Sequence, residues 1–134
     1  MKKIILLVSI CFSISILSYS QKAEFLYFKA DLACCKAKSC NTLEGEIKAM
    51  IEKNYPKGNV VFKTVKISDE ANKDLVAKYS AKSQTCILVV KKKKTEVFYD
   101  MSELVKNYLV AQPDAKELVG QEFILGLQKN LKKK

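Results

Sequence analysis

Glu24-Phe25-Leu26-Tyr27-Phe28-Lys29, followed by Ala30-Asp31-Leu32-Ala33-Cys34-Cys35-Lys36-Ala37-Lys38-Ser39-Cys40 and then Asn41-Thr42-Leu43-Glu44, is the stretch on which the fold turns. Three aromatics and a Leu within five residues read as a strand buried on both faces, the pattern of a central strand in a sheet covered on both sides. Ala30 to Ser39 has no clean period and holds three of the cysteines, so it reads as a strand-to-helix loop. Asn41 with Glu44 three residues on has the form of a capping box. Leu43, Ile47, Met50 and Ile51 then recur at helical spacing, predicting a first helix over about 40–54 that Pro56 and Gly58 terminate.

Downstream, Val60, Phe62 and Val65 to Ile67 predict a second strand over 60–67, with Lys63 and Lys66 at its edges or on its wet face. Ser68-Asp69 opens a second helix of about 70–79, whose acidic start suits the positive end of its dipole and whose stripe is Leu75, Val76 and Tyr79. Thr85–Val90 is the most apolar strand beyond the N-terminus. Lys91–Lys94 reads as a hairpin turn and Thr95–Tyr99 as the returning strand. Ser102 to Val105 starts a short helix or turn. Pro113-Asp114 starts the last helix, with Leu118, Phe123, Ile124, Leu127 and Leu131 as its stripe and Gly126 weakening it near its end. A parallel crossover in the first half and an antiparallel hairpin in the second predict one mixed sheet with helices on both faces.

Upstream lies a different kind of sequence. Lys2 and Lys3 precede an apolar run, Ile4 to Leu17, relieved only by three serines, and Ser18-Tyr19-Ser20 supplies small residues at the two positions a signal peptidase reads. Residues 1–20 are therefore expected to be a secretory signal peptide, cleaved after Ser20, and residues 21–134 the domain. The apolar run is shorter than the roughly 20 residues a membrane-spanning helix needs, so no stable membrane insertion is expected after cleavage. Ile10 stands where a lipoprotein signal would place a small residue before Cys11. The expected location is the periplasm or the exterior, an oxidising compartment for Cys34, Cys35, Cys40 and Cys86.

The chain of 134 residues carries 24 basic and 14 acidic side chains, a formal net charge of +10. All the basic residues are lysines, and only Lys2 and Lys3 fall in the signal, leaving +8 on residues 21–134. With 49% apolar residues the chain is too hydrophobic for a disordered polycation. The absence of His removes His-based triads, HExxH zinc sites and Cys2His2 fingers. The absence of Arg removes the usual bidentate reader of bases. The Lys91–Lys94 run reads as a solvated turn rather than a nucleic-acid site.

Phe28-Lys29-Ala30-Asp31 before Cys34 and Cys35 resembles the approach to the active-site loop of the thioredoxin fold. Val65 to Asn72 with Leu75 and Tyr79 resembles that fold's second strand and following helix. Ser83-Gln84-Thr85 before Cys86-Ile87-Leu88-Val89 resembles the loop facing the active site, where the family usually has a cis-proline before Thr. The chain is most similar to a bacterial branch of small exported thioredoxin-like proteins in which Gln-Thr replaces Pro-Thr and the active-site helix begins Cys-x-x-x-Glu, here Cys40 to Glu44. The resemblance implies a thioredoxin-like three-layer α/β/α sandwich around a mixed sheet, with Gln84 and Thr85 at the substrate groove. The chain departs from the family's Cys-x-x-Cys spacing: four residues separate Cys35 from Cys40, and five separate Cys34 from it.

A thiolate is the reactive form of cysteine, and a helix N-terminus stabilises it. The expectation is that Cys40 sits in the first helical turn as the partner, with Cys35 attacking and Cys34 competing for that role. The corresponding function is an exported thiol–disulfide exchange protein whose partners are client thiols or disulfides, with no cofactor and no nucleic acid. Two alternatives stand beside it: a non-catalytic binding module stapled by a structural disulfide, and a Cys-based metal site in which Cys86 would be the fourth ligand. The plain reading of Cys86 is a small core residue in an apolar strand. No residue is assigned as a metal ligand, and no feature specifies an oligomeric state.

Overall fold

A computed structural model describes residues 22–31 and 35–133. The elements run β1 (Ala23–Lys29), α1 (Cys35–Asn54), β2 (Val60–Lys66), a 3-10 turn (Glu70–Asn72) leading into α2 (Lys73–Lys78), β3 (Cys86–Lys91), β4 (Glu96–Asp100), α3 (Ser102–Val110) and α4 (Lys116–Lys132). The four strands form one mixed sheet in the order β2-β1-β3-β4. β1 runs parallel to β2 with Phe25 opposite Phe62, and antiparallel to β3 with Phe25 opposite Leu88. β3 and β4 are the expected hairpin, its turn held by the Lys92 N–H donating to the Thr95 carbonyl at 2.8 Å.

β1 is the buried central strand that its composition predicts. Alternation sends Phe25 and Tyr27 to one face and Leu26 and Phe28 to the other, all four buried. On the first face they meet Leu43, Ile47 and Ile51 of α1, Val105 and Tyr108 of α3, and Phe123, Ile124 and Leu127 of α4. On the second they meet Val65, Ala81, Ile87 and Val89, packed against Ile67, against Leu75 and Val76 of the short α2, and against Tyr79 just after it. Helices thus cover both faces, unequally: the molecule is an α/β sandwich with a thick side and a thin one.

Three expectations need correction. The first helix begins at Cys35 rather than at about 40, because Lys-Ala-Lys-Ser between the cysteines contains no Gly or Pro and favours continued helix. Asn41 is consequently an exposed helical residue and not a cap. Leu118 is 61% exposed, outside the buried stripe of α4, whereas Phe123, Ile124 and Leu127 are buried as expected. Gly126 lies within α4, and a Cβ there would lie 2.6 Å from Leu104 Cδ1, so the Leu104 side chain of α3 packs directly over it. At Gly58 the backbone has φ 72°, a left-handed conformation that costs Gly little, and it turns the chain from α1 into β2. The expected signal segment, residues 1–20, lies outside the described residues.

Candidate functional site

β1 ends, α1 begins and the turn before β3 sits at one end of the sheet, and this end gathers most of the residues that the sequence singles out. The turn is Lys82-Ser83-Gln84-Thr85. The Thr85 N–H donates to the Lys82 carbonyl at 3.0 Å, and the Lys82 N–H donates to Thr85 Oγ1 at 2.9 Å. Two more bonds lock it to β1: the Gln84 N–H donates to the Phe28 carbonyl at 2.8 Å, and the Phe28 N–H donates to the Thr85 carbonyl at 2.9 Å.

Gln84, third residue of this turn, has φ 65°. A turn of this hand normally carries Gly or Asn at that position, and a residue with a Cβ pays roughly 1–2 kcal/mol to stay there. The strained backbone aims the side chain inward: the Gln84 amide Nε2–H donates to Cys40 Sγ at 3.2 Å. Cys40 is buried, with 7% of its surface exposed. It is the sixth residue of α1, so it occupies the second turn and not the first as its sequence suggests. The unpaired N–H groups of the helix start surround residues 35–38 instead.

Cys40 and Glu44 are four apart and share a helix face. The Lys29 ammonium, at the end of β1, pairs with Glu44 Oε2 at 2.8 Å, and the Thr64 hydroxyl donates to the other carboxylate oxygen. Burial raises the Glu44 pKa, but the bonds from Lys29 and Thr64 outweigh it and hold the carboxyl below its ordinary range. Glu44 thereby stabilises the fold fully above the ordinary carboxyl pKa of 4.5, and that contribution disappears as pH falls through the lowered value. Glu44→Gln should cost about 1 kcal/mol at neutral pH. Urea midpoints of variant and parent should converge as the pH falls from neutrality through the lowered Glu44 value.

Tyr27 completes the cluster. It is 1% exposed, and its hydroxyl has no hydrogen-bond partner. Burial, followed by the nearby Cys86, Cys40 and Glu44, pushes the phenol pKa well above its ordinary value. Removing an unsatisfied buried hydroxyl relieves its desolvation, so Tyr27→Phe should raise stability by about 1 kcal/mol and move the urea midpoint upward. Sequence alone hid Tyr27, Lys29 and Thr64. Their chemistry depends on the β1–β2 register, which sets Tyr27 beside Thr64.

Cys86 follows its plain reading. It is fully buried in the core, its thiol donates to the Gln84 carbonyl at 3.6 Å, and burial, then Asp100, pushes its pKa far up. A thiol held protonated is a poor nucleophile and a poor ligand. Its backbone anchors the next element, with its N–H donating to Ser102 Oγ at 2.9 Å. Cys40 and Cys86 are free thiols among the described residues, and among those residues no group of three His, Cys, Asp or Glu side chains converges as metal ligands.

Cys34 and the side chain of Cys35 lie outside the described residues, but the backbone of Cys35 constrains the pairing. Residues five apart in an α-helix have Cα atoms about 8.7 Å apart, beyond the roughly 4.4–6.8 Å that a disulfide bridges. A Cys35–Cys40 bond therefore requires the first turn of α1 to unwind.

No family model matches this chain, and no curated protein matches it. Among solved structures, one described as the structure of a malarial protein is 25% identical over 60% of this chain and 81% of its own, with a TM-score of 0.36. A likeness of that size carries no argument about fold or function.

Proposed function

We propose that this chain is an exported, thioredoxin-like thiol–disulfide exchange protein in which Cys40 is the inner cysteine and Cys35, with Cys34 competing, the outer one. The observation that carries this reading is the Gln84 amide held in a strained, left-handed turn and hydrogen-bonded to the buried Cys40 sulfur. Strained backbone concentrates at working sites because the surrounding structure must hold it there.

In the forward direction the outer thiolate attacks a client disulfide. A bond forms between the outer sulfur and one client sulfur, the client's S–S bond breaks, and the departing client thiolate takes up a proton. Cys40 gives up its thiol proton to water, and its sulfur then attacks the outer sulfur. That closes the intramolecular disulfide and releases the second client thiolate, so two electrons pass from protein to client. The outer cysteine lies at the start of α1, where free N–H groups favour its charged form. Gln84 and Thr85 form the wall against which a client segment would lie.

Redox titration of the protein in glutathione buffers tests this, with alkylation and peptide mapping to identify the pair. A reversible two-electron transition at Cys35 or Cys34 with Cys40, above the roughly −300 mV typical of structural disulfides, is the expected result. A bond unchanged across the titration would make the pair a staple. Thiols that react only after chelator is added would make it a metal site.

A further inference from the structure

The side of α4 turned away from the sheet is not uniformly polar. Leu118 and Leu125 are each 61% exposed, and at seven residues apart they lie within about 20° of each other around the helix axis. Gln121 and Glu122, both exposed, stand between them. Asp114 precedes Leu118 by four residues and Lys129 follows Leu125 by four, about one turn in each case. The turn at Asp114 winds directly into the helix: the Ala115 N–H donates to the Gln112 carbonyl and the Val119 N–H to the Ala115 carbonyl, both at 3.0 Å. Among the described residues neither Asp114 nor Lys129 has an ion-pair partner in its own chain. On one flank of the stripe opens a cavity of about 590 Å³ lined by Met50, Gly120 and Ile124, with Gln121 and Leu125 at its edge.

Along this stripe the order is Asp, Leu, Gln, Glu, Leu, Lys, which is complementary to its own reverse. When two copies of α4 pack antiparallel with Leu118 level with the partner's Leu125, two-fold symmetry sets Leu125 level with the partner's Leu118. The same register sets Asp114 level with the partner's Lys129, an opposite charge. It also sets Gln121 level with the partner's Glu122, an amide donor for a carboxylate. The partner's Leu118 comes to the edge of the cavity, where Met50 and Ile124 offer it apolar contact. A parallel pairing in register would instead oppose each of Asp114, Glu122 and Lys129 to its own copy. We propose that the outer face of α4 is the interface of an antiparallel, two-fold symmetric dimer of this chain. Two leucines from each copy make a small contact, in the class below the roughly 1,200 Å² of a stable complex, so the dimer is weak and concentration-dependent. The pairing stands whether or not Cys40 is redox-active.

Sedimentation velocity of the protein between about 10 μM and about 1 mM, the range in which so small a contact assembles, tests the pairing. Reductant is present throughout, so intermolecular disulfides add nothing, and whatever residues 1–20 contribute is common to parent and variants. The parent should pass from monomer to dimer within that range. The double variant Leu118→Gln, Leu125→Gln should stay monomeric across it. Asp114→Lys alone and Lys129→Asp alone each create two like-charge contacts per dimer and should weaken dimerisation by about tenfold or more. Both changes in one chain restore opposite charges and should return the midpoint to within about threefold of the parent's. An equimolar mixture of the two single variants should also dimerise, because one is then basic at both positions and the other acidic. A parent monomeric at the highest concentration, a double swap as weak as the single ones, or a leucine variant that dimerises like the parent would overturn the pairing. So would binding of the parent to phosphatidylcholine vesicles that needs Leu118 and Leu125 and sets in below the dimerisation midpoint, which would give this face to lipid. All the substituted side chains are exposed, so far-ultraviolet circular dichroism of every variant should match the parent.

Discussion

Replacing Phe25 by Ala is expected to cost about 3–5 kcal/mol, the range for deleting a buried aromatic. That is a large part of the roughly 5–15 kcal/mol that holds a domain together. Phe25 is fully buried at the centre of the sheet. Its ring stacks on Phe62 of β2 at 5.9 Å and meets Phe123 of α4 edge-on at 5.7 Å. One side chain thus ties the edge strand β2 and the last helix to the central strand, and no neighbour can fill the gap without releasing one of those contacts. Leu26→Ala, one residue on, faces the thin layer under α2. It should cost about 2–3 kcal/mol, the lower part of the Leu→Ala range. Urea unfolding of both variants measures the difference. Equal losses would mean that the α2 side carries as much of the cooperative core as the side of α1 and α4.

That asymmetry shows what was legible in the sequence. β1 and β3 are so uniformly apolar that burial on both faces is the only stable arrangement, and the Lys91–Lys94 turn marks the hairpin beside them. The start of α1 was not legible. Capping signals at Asn41 and Glu44 point to a helix beginning near 40, but propensity upstream carries it back to Cys35, and Glu44 spends its carboxylate on Lys29 and Thr64 across the sheet. Residues 15 and 20 positions apart in sequence were never going to reveal that bond through local spacing. Leu118 fails for a more local reason: five residues before Phe123, it lies about 140° away around the axis of α4, well off the face that Phe123, Ile124 and Leu127 bury.

The site was half legible. Gln84-Thr85 before an apolar strand marks the turn, yet the left-handed backbone at Gln84 is invisible in a residue type that ordinarily avoids it. Only the two bonds that clamp the turn to Phe28 explain why Gln is tolerated there. The contact with Cys40 then depends on α1 starting early enough to bring the sixth residue, rather than the first, against the turn.

Oxidising the protein should remove the first turn of α1. On the proposed reading, a Cys35–Cys40 disulfide draws together two Cα atoms that helical geometry holds about 8.7 Å apart. Residues 35–39 must then leave the helix, while Leu43, Ile47 and Ile51 keep the remainder docked in the core. The helical signal at 222 nm should fall by about a tenth, given helices of 20, 6, 9 and 17 residues. Cys40→Ser should abolish that change and trap the outer cysteine as a mixed disulfide with glutathione. Release should slow on the order of a hundredfold, because a tethered thiol has been replaced by a dilute external one. Cys86→Ala should leave both the spectral change and the exchange rate as they are, since its thiol stays buried and protonated. A disulfide that forms with no loss of helix would assign Cys34 as the partner of Cys40. An exchange rate unmoved by Cys40→Ser would remove Cys40 from the chemistry and leave the Gln84 contact a feature of packing alone.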